Sequence, residues 1–207
     1  MKKFFLFVFV SFILFGCEGP MGPQGPQGES GNSENKGISI GGNYFEFEPD
    51  RTNGIAGIRI TNYSGTGDTV VIPNEINGIP VRAIGTGAFR EKYLFSITIP
   101  NSIIVIGNNA FAGNFLTSVT IPNSVKSIGS SAFQNNLLAS VAIPNNVTSM
   151  GDYAFYDNLL VSVTIGQNAF SSNFWPFPGA GSFWATYQGV AGTYTRSDVN
   201  SSTWTRM

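Results

Sequence analysis

The sequence LFSITIPNSIIVIGNNAFAGNF at residues 94–115 is followed by LTSVTIPNSVKSIGSSAFQNNL at 116–137 and LASVAIPNNVTSMGDYAFYDNL at 138–159. These are three consecutive units of 22 residues without gaps. An Ile-Pro pair and an Ala-Phe pair recur at fixed places in every unit. A fixed period in the range of roughly 20 to 50 residues is the signature of a solenoid.

Each unit opens with a segment of alternating polarity. Val119 and Ile121 are apolar, whereas Ser118 and Thr120 between and beside them are polar. A period of two predicts a β-strand with one face in the core and one face outward. Pro122 follows the strand directly and is expected to end it, because proline supplies no ladder donor.

The rest of each unit supplies further buried columns. Val125 and Ile128 are expected to point inward, and we expect Gly129 to permit the corner through its conformational freedom. We also expect one aromatic residue per coil to stack in a continuous structural spine, formed by Phe89, Phe111, Phe133, Phe155 and Phe170. An aligned asparagine column is interpreted as structural, because buried polar groups need partners; it comprises Asn114, Asn136, Asn158 and Asn173.

This pattern resembles the BspA-like (Treponema-type) leucine-rich repeats of bacterial surface proteins, whose signature is roughly L-x-x-V-x-I-P-x-x-V-x-x-I-G-x-x-A-F. Leu94, Leu116 and Leu138 begin the matching copies, and the resemblance covers about residues 72–170. It implies a β-rich leucine-rich-repeat solenoid with parallel strands, joined by short turns or helical corners, and displayed outside the cell. Some members of that family act in adhesion to host cells, matrix proteins or other bacteria.

Composition excludes several classes of function. Charged residues make up 11% of the chain, and the net charge is −1. Within residues 94–170 the only charged side chains are Lys126, Asp152 and Asp157. A stripe of basic residues that would neutralise phosphates is therefore missing, which argues against nucleic-acid binding. Histidine is absent and Cys17 is the only cysteine, so we expect no metal site, no cofactor, no intrachain disulfide and no enzymatic activity.

Residues 1–16 have the features of an export signal. Lys2 and Lys3 precede an apolar run of about 12 residues at 4–15, which is too short to span a bilayer as a mature helix. The sequence Leu-Phe-Gly-Cys at 14–17 resembles a lipobox, although its phenylalanine is bulkier than usual. We expect cleavage before Cys17 and lipidation of that residue, which would make the protein an exported, membrane-anchored lipoprotein of the outer membrane or cell surface. The alternative is an ordinary secretory signal with an incidental cysteine.

Residues 17–37 contain four collagen-like Gly-X-Y triplets, from Gly19 to Ser30. Glycine at every third position is what a triple helix requires. Four triplets are few to offset the entropy of ordering three chains, so we favour an extended, polyproline-like tether. Weak trimerisation through the tether is the alternative.

Both ends of the solenoid are expected to be capped. Residues 38–71 form the predicted N-terminal β cap, in which Glu46 and Glu48 share one strand face and are not expected to be catalytic. Asn77-Gly78 predicts a hairpin at the first coil of the 72–170 solenoid.

Residues 171–207 form the predicted aromatic C-terminal cap, in which 192–196 and 202–206 are expected to pair as a closing hairpin. Its aromatic residues suggest either a hydrophobic cover or a ligand cradle; they are Trp184, Tyr187, Tyr194 and Trp204.

The outward strand positions form the candidate binding face, which is small, hydroxyl-rich and uncharged. It comprises Ser96, Thr98, Ser118, Thr120, Ser140, Ser162 and Thr164, together with Thr69, Val71 and Ala142. The first hypothesis is an adhesin-like protein that binds host matrix or cell-surface proteins or glycans. The second is a structural or antigenic coat protein without a specific ligand. The third is an enzyme, for which no nucleophile and base can be assembled.

Overall fold

The computed structural model describes residues 36–51, 56–167, 177 and 190–207. The segment Ser33–Met207 is one compact unit, and its described part contains fourteen short β-strands. They wind into a β-solenoid in which parallel strands recur 22 residues apart, as Ser140 and Ser162 do. The expected fold class is confirmed. In the described ranges the corners are turns, so the helical corners allowed by the sequence are not formed there.

The N-terminal end is closed by an antiparallel three-stranded segment: β1 is Lys36–Ile40, β2 is Asn43–Asp50 and β3 is Gly57–Ser64. β1 and β2 are joined by Gly41 and Gly42, whose φ angles of 57° and 82° suit glycine in a tight hairpin. Phe45, Ile60 and Tyr63 are completely buried. They cover the first coil, and the strands begin two residues before the range expected for the cap.

A small hairpin follows this segment. β4 is Thr69–Val71, β5 is Glu75–Ile76 and β6 is Ile79–Ile84. β5 and β6 pair antiparallel around Asn77 and Gly78, whose φ angles are 53° and 76°. The hairpin predicted from Asn77-Gly78 is confirmed. β6 also pairs in parallel with β3, so the chain changes here from antiparallel to parallel pairing.

The coils then supply two sets of strands. These are β7 Ser96–Thr98, β8 Val105–Ile106, β9 Ser127–Ile128, β10 Ser140–Ile143, β11 Ser149–Met150 and β12 Ser162–Ile165. The eight-stranded sheet runs β1-β2-β3-β6-β8-β9-β11, with β5 attached to β6. The C-terminal strands β13 Gly192–Thr195 and β14 Thr205–Arg206 form an antiparallel pair, as predicted, and β13 lies beside β12.

The strands that carry the candidate binding face do not form one continuous sheet. β4 pairs with β7, and β10, β12, β13 and β14 form a separate sheet. The strand predicted at Ser118–Thr120 is not formed, and residues 117–121 make no backbone hydrogen bond to a neighbouring coil within the described ranges. This segment is flanked instead by the buried side chains of Leu116 and Ile121, and the Leu116 N–H donates a hydrogen bond to Asn136 Oδ1 at 3.1 Å. Side-chain burial therefore replaces the ladder at this point. Elsewhere in the same coil, β9 keeps its parallel pairing with β8 and β11.

Stacked rings run through the core along the solenoid axis. Phe89, Phe111, Phe133 and Phe155 follow one another with centroid separations of 5.2, 5.1 and 5.1 Å. Tyr63 extends the stack by 5.2 Å at one end, and Phe177 extends it by 5.6 Å at the other. Phe170, the expected last member, lies outside the described residues. The rings of the described members are completely buried, so the spine is the centre of the hydrophobic core.

Glycine is required at the corners because neighbouring coils leave no room for a Cβ atom, and not because the backbone has a positive φ. A Cβ on Gly107 would lie 2.8 Å from the Gly85 carbonyl carbon, and one on Gly129 would lie 2.5 Å from the Asn108 nitrogen. Neither glycine has a positive φ. The expectation that Gly129 supplies conformational freedom was wrong: the left-handed corner residues occupy two other columns. One contains Gly87, Asn109, Ser131 and Tyr153, and the other contains Glu91, Gly113, Asn135 and Asp157. The backbones of neighbouring coils therefore leave no room for a Cβ at Gly107 and Gly129.

Candidate functional site

The predicted binding face is exposed along most of its length. Six of its residues are exposed and Ser162 is half-buried; the exposed ones are Ser96, Thr98, Ser118, Thr120, Ser140 and Thr164. Thr69, Val71 and Ala142 are exposed as well. At the C-terminal end β13 continues the surface, because Thr164 Oγ1 and Thr193 Oγ1 lie 3.0 Å apart. The structure therefore presents a hydroxyl lane, which we define by the seven predicted residues, interrupted in backbone pairing at 117–121.

A second surface lies beside the hydroxyl lane, and reasoning from the sequence did not identify it. We define the apolar ridge as Tyr93, Phe95, Phe115, Leu137 and Leu159. Their side chains are 69%, 52%, 40%, 39% and 47% exposed, respectively. The ring of Phe115 lies 6.1 Å from that of Tyr93 and 5.2 Å from that of Phe95. Four of the five residues recur at the 22-residue period, so the ridge crosses successive coils.

The sequence contains a signal for this ridge. Tyr93, Phe115 and Leu137 each precede a leucine of the buried column, such as Leu94 or Leu116. Two adjacent apolar columns at a coil's strand-entry corner cannot both face inward. The leucine column is completely buried, and the column before it is left exposed to solvent.

The lane and the ridge together are uncharged. Residues 93–98, 115–120, 137–142 and 159–164 contain no Asp, Glu, Lys or Arg. The lane and the ridge therefore offer a partner apolar contact and hydrogen bonds rather than ion pairs.

The asparagine column has a structural role. Asn114 Nδ2 donates to the carbonyl oxygens of Phe89 and Phe111 at 2.8 and 2.9 Å, and its Oδ1 accepts from the Leu94 N–H at 3.1 Å. Asn136 and Asn158 repeat this arrangement. These amides are buried and fully engaged, so they offer nothing to a ligand. Asn173 lies outside the described residues.

The glutamates of the N-terminal cap, Glu46 and Glu48, each have a side-chain partner on the neighbouring strand. Arg59 Nε lies 3.6 Å from Glu48 Oε1, and Arg59 Nη2 donates to Asp50 Oδ1 at 2.9 Å. Asn62 Nδ2 donates to Glu46 Oε1 at 3.1 Å. An open groove beside them is lined by residues 48–51, 59, 61, 85 and 86. Arg59 therefore lies between the carboxylates of Glu48 and Asp50, whereas Glu46 is held by Asn62.

The C-terminal hairpin is fixed to the last coil by Arg196. Its Nε donates to the Leu160 carbonyl oxygen at 2.6 Å, and its guanidinium lies 5.1 Å from the Trp204 ring centroid. Burial lowers the pKa of Arg196, and Asp198 partly opposes this shift. Tyr194 and Trp204 are buried, which fits a hydrophobic cover rather than a ligand cradle. Trp184 and Tyr187 lie outside the described residues.

Within the described ranges, no three His, Cys, Asp or Glu side chains lie together as a metal site. No helix there is long and apolar enough to span a bilayer. Cys17, the expected lipidation residue, lies outside these ranges.

Comparison with solved structures shows that this chain is similar to bacterial leucine-rich repeat proteins. One is a leucine-rich repeat protein of T. pallidum, 28% identical, with 54% of this chain and 64% of that chain covered and a TM-score of 0.42. Another is a leucine-rich repeat protein of Bacteroides ovatus, 25% identical, covering 53% and 37% of the two chains with a TM-score of 0.38. A leucine-rich cell surface protein of Faecalibacterium prausnitzii is 19% identical, with 66% and 55% covered and a TM-score of 0.26. This chain thus spans less than two thirds of each.

No curated protein matches the sequence. The family model of the BspA-type leucine-rich repeat region, in contrast, matches residues 68–177 with six copies of the repeat. The matched segment is more than half of the chain and contains every ring of the described spine except Tyr63. This chain therefore belongs to the BspA-type leucine-rich repeat family.

Proposed function

We propose that this protein is a non-catalytic, lipid-anchored binding protein of the bacterial cell surface that acts as an adhesin. The observation that carries the proposal is the exposed, uncharged hydroxyl lane, repeated coil after coil beside the apolar ridge. Membership of the BspA-type family supports a binding role. The partners we propose are host matrix or cell-surface proteins, or surface glycans; neither nucleic acid nor a cofactor has a part in this role.

Anchoring is proposed through Cys17, which follows the apolar run of residues 4–15. The test is expression of the full chain in a bacterium fed an alkyne fatty acid. We expect the wild-type protein to carry the label and to be found in the membrane fraction. The Cys17→Ser variant should carry no label and should be absent from the membrane fraction. A membrane-bound, labelled Cys17→Ser protein would contradict anchoring at this residue.

Adhesion is tested with beads that carry Ser33–Met207, the compact unit. Ser96, Ser118 and Ser140 are changed together to lysine, which adds three charges to the hydroxyl lane. The matched control changes Asn101, Asn123 and Thr148 to lysine; these residues are exposed but lie outside the lane. Both variants must melt like the wild type before their adhesion is compared.

We expect saturable adhesion to epithelial cells or immobilised matrix proteins, abolished by the lane variant and kept by the control. Adhesion that survives the lane variant would move the binding site to another surface. Wild-type beads that adhere to neither cells nor matrix proteins would contradict the adhesin role and favour the coat-protein alternative.

A further inference from the structure

The apolar ridge is more exposed than the rest of the solenoid's apolar columns. Contiguous apolar patches on the surface of soluble proteins mark interaction sites. Two of the ridge contacts are between aromatic rings, Tyr93 to Phe115 and Phe95 to Phe115. Aromatic residues are enriched and charges depleted at the centre of protein interfaces. We propose that the ridge is the contact surface between two copies of this chain.

The spacing of the ridge favours a second copy as its occupant. The spine rings of successive coils have centroids 5.1–5.2 Å apart, which gives the repeat distance of the solenoid. Alternate side chains on an extended strand are about 6.8 Å apart, so a docked strand falls out of step after two coils. A helix has a pitch of about 5.4 Å per turn, which is closer to the repeat distance of the solenoid. Its side chains, however, point outward around a cylinder and do not form a flat row. A second solenoid has the same period at every coil and stays in step along the whole ridge.

The absence of charged residues from the lane and the ridge also permits two copies to pair. Residues 93–98, 115–120, 137–142 and 159–164 are uncharged, so two identical copies bring no like charges together. Like-charge contact would otherwise cost several kcal/mol, which is the usual obstacle to pairing identical surfaces. Apolar area is removed from water on both sides at once, because the interface is the same patch on each copy.

The orientation rests on the anchoring proposed above. Two copies held to one membrane through their N-terminal residues enter their solenoids from the same side, at β1. A two-fold axis parallel to the solenoid then sets the ridges side by side in register, with Phe115 facing Phe115 and Leu137 facing Leu137. Tethering to a common surface raises the effective concentration, which strengthens on the membrane the pairing that also occurs in solution.

The first experiment is sedimentation of Ser33–Met207, which is compact and contains no cysteine. We expect a mass that rises toward twice the chain mass with concentration. Phe115→Arg and Leu137→Arg should each weaken the dimer by at least about tenfold. The matched control is Ile79→Arg, because Ile79 is 48% exposed but lies in the β5–β6 hairpin, outside the ridge and the lane. Melting curves verify that all three variants are folded.

The second experiment determines the orientation of the two copies relative to each other. Leu137→Cys chains should form a disulfide with themselves under mild oxidation, because the pairing is in register. A disulfide that forms only between Phe115→Cys and Leu137→Cys chains would overturn the in-register arrangement and show an antiparallel pair.

A monomeric mass at every concentration overturns the proposal, as does a dimer that ridge variants leave intact. A monomer whose ridge variants lose bead adhesion would show that a foreign protein occupies the ridge. Because mass is measured in solution and adhesion on beads, failure of the pairing and failure of the adhesin role give different results.

Discussion

Asn136 donates a hydrogen bond from Nδ2 to the carbonyl oxygen of Phe111 at 3.0 Å, and this bond joins two coils across 25 residues of sequence. The same amide group donates to Phe133 at 3.1 Å, and Oδ1 accepts from the Leu116 N–H at 3.1 Å. The side chain is almost completely buried. One amide therefore satisfies backbone groups of both its own coil and its neighbour, where water cannot reach.

Asn136→Asp should destabilise the fold although it preserves the shape of the side chain. A carboxylate has no hydrogens to donate and would face the carbonyl oxygens of Phe111 and Phe133. The expected loss of unfolding free energy at pH 7 is at least about 3 kcal/mol. Denaturant titration measures it, with Asn135→Asp as the exposed control.

The loss should depend on pH. Burial among carbonyl oxygens raises the pKa of the new carboxyl group in the folded state. Stability is then highest below the pKa of the unfolded chain and falls as pH rises toward the folded-state pKa. If Asn136→Asp were equally destabilised at pH 4 and pH 8, the buried, bridging position of this side chain would be contradicted.

Phe133→Ala removes a ring from the middle of the spine, where it lies 5.1 Å from both Phe111 and Phe155. Its ring is completely buried. We expect a loss of about 3–5 kcal/mol, because the cavity cannot collapse between two stacked rings.

Phe115→Ala is the control for the same chemical change. Phe115 is already 40% exposed, so its loss should be roughly half as large or smaller. Equal shifts in the denaturation midpoints of the two variants would show that the spine is not the centre of the core.

The repeat made much of this architecture predictable. Residues 22 apart meet the same environment in successive coils, so the period alone places Phe133 over Phe111 and Asn136 beside Asn114. The hairpin at Asn77 and Gly78 was predictable for a local reason, because that turn requires two positive φ angles.

Other features depend on contacts that a period does not encode. Pattern alone cannot decide which of two adjacent apolar columns is buried, and so Phe115 and Leu137 were missed. Phe177, by contrast, lies at the period itself, 22 residues after Phe155, and was missed because the early Ala-Phe pair ending at Phe170 had been assigned to the last coil. The alternation at Ser118 and Thr120 predicted a strand, but pairing depends on the backbone of both neighbouring coils.

Gly107→Ala tests whether the corner glycines are required by close approach. The added methyl group would lie 2.8 Å from backbone atoms of Gly85 and Ile84, which cannot move without shifting a coil. We expect a loss of about 1–3 kcal/mol, measured by thermal melting.

Gly78→Ala is the comparison, because Gly78 has a φ of 76° but no atom within 4 Å of the added group. Backbone strain alone should cost about 1 kcal/mol there. A larger loss for Gly78→Ala than for Gly107→Ala would reverse our assignment of the two roles.

Tyr63 makes stability depend on alkaline pH. Its ring is completely buried, its hydroxyl donates to Asn43 Oδ1 at 2.6 Å, and burial raises its pKa above the ordinary value of 10.0. The unfolded chain loses this proton near pH 10, whereas the folded chain retains it. The contribution is therefore complete below pH 10 and decreases as the pH rises toward the folded-state pKa.

Tyr63→Phe should cost about 1 kcal/mol at pH 7, through the lost hydrogen bond, and should make the alkaline decline less steep. The stability curves of the variant and the wild type are then expected to converge above pH 10. Urea denaturation between pH 7 and pH 11 measures both curves. Tyr194→Phe is the parallel variant at the other end of the solenoid, since burial also raises the pKa of Tyr194, partly opposed by Arg206. Wild-type and Tyr63→Phe curves that stay parallel through pH 11 would mean that the Tyr63 phenol titrates as freely in the folded chain as in the unfolded one.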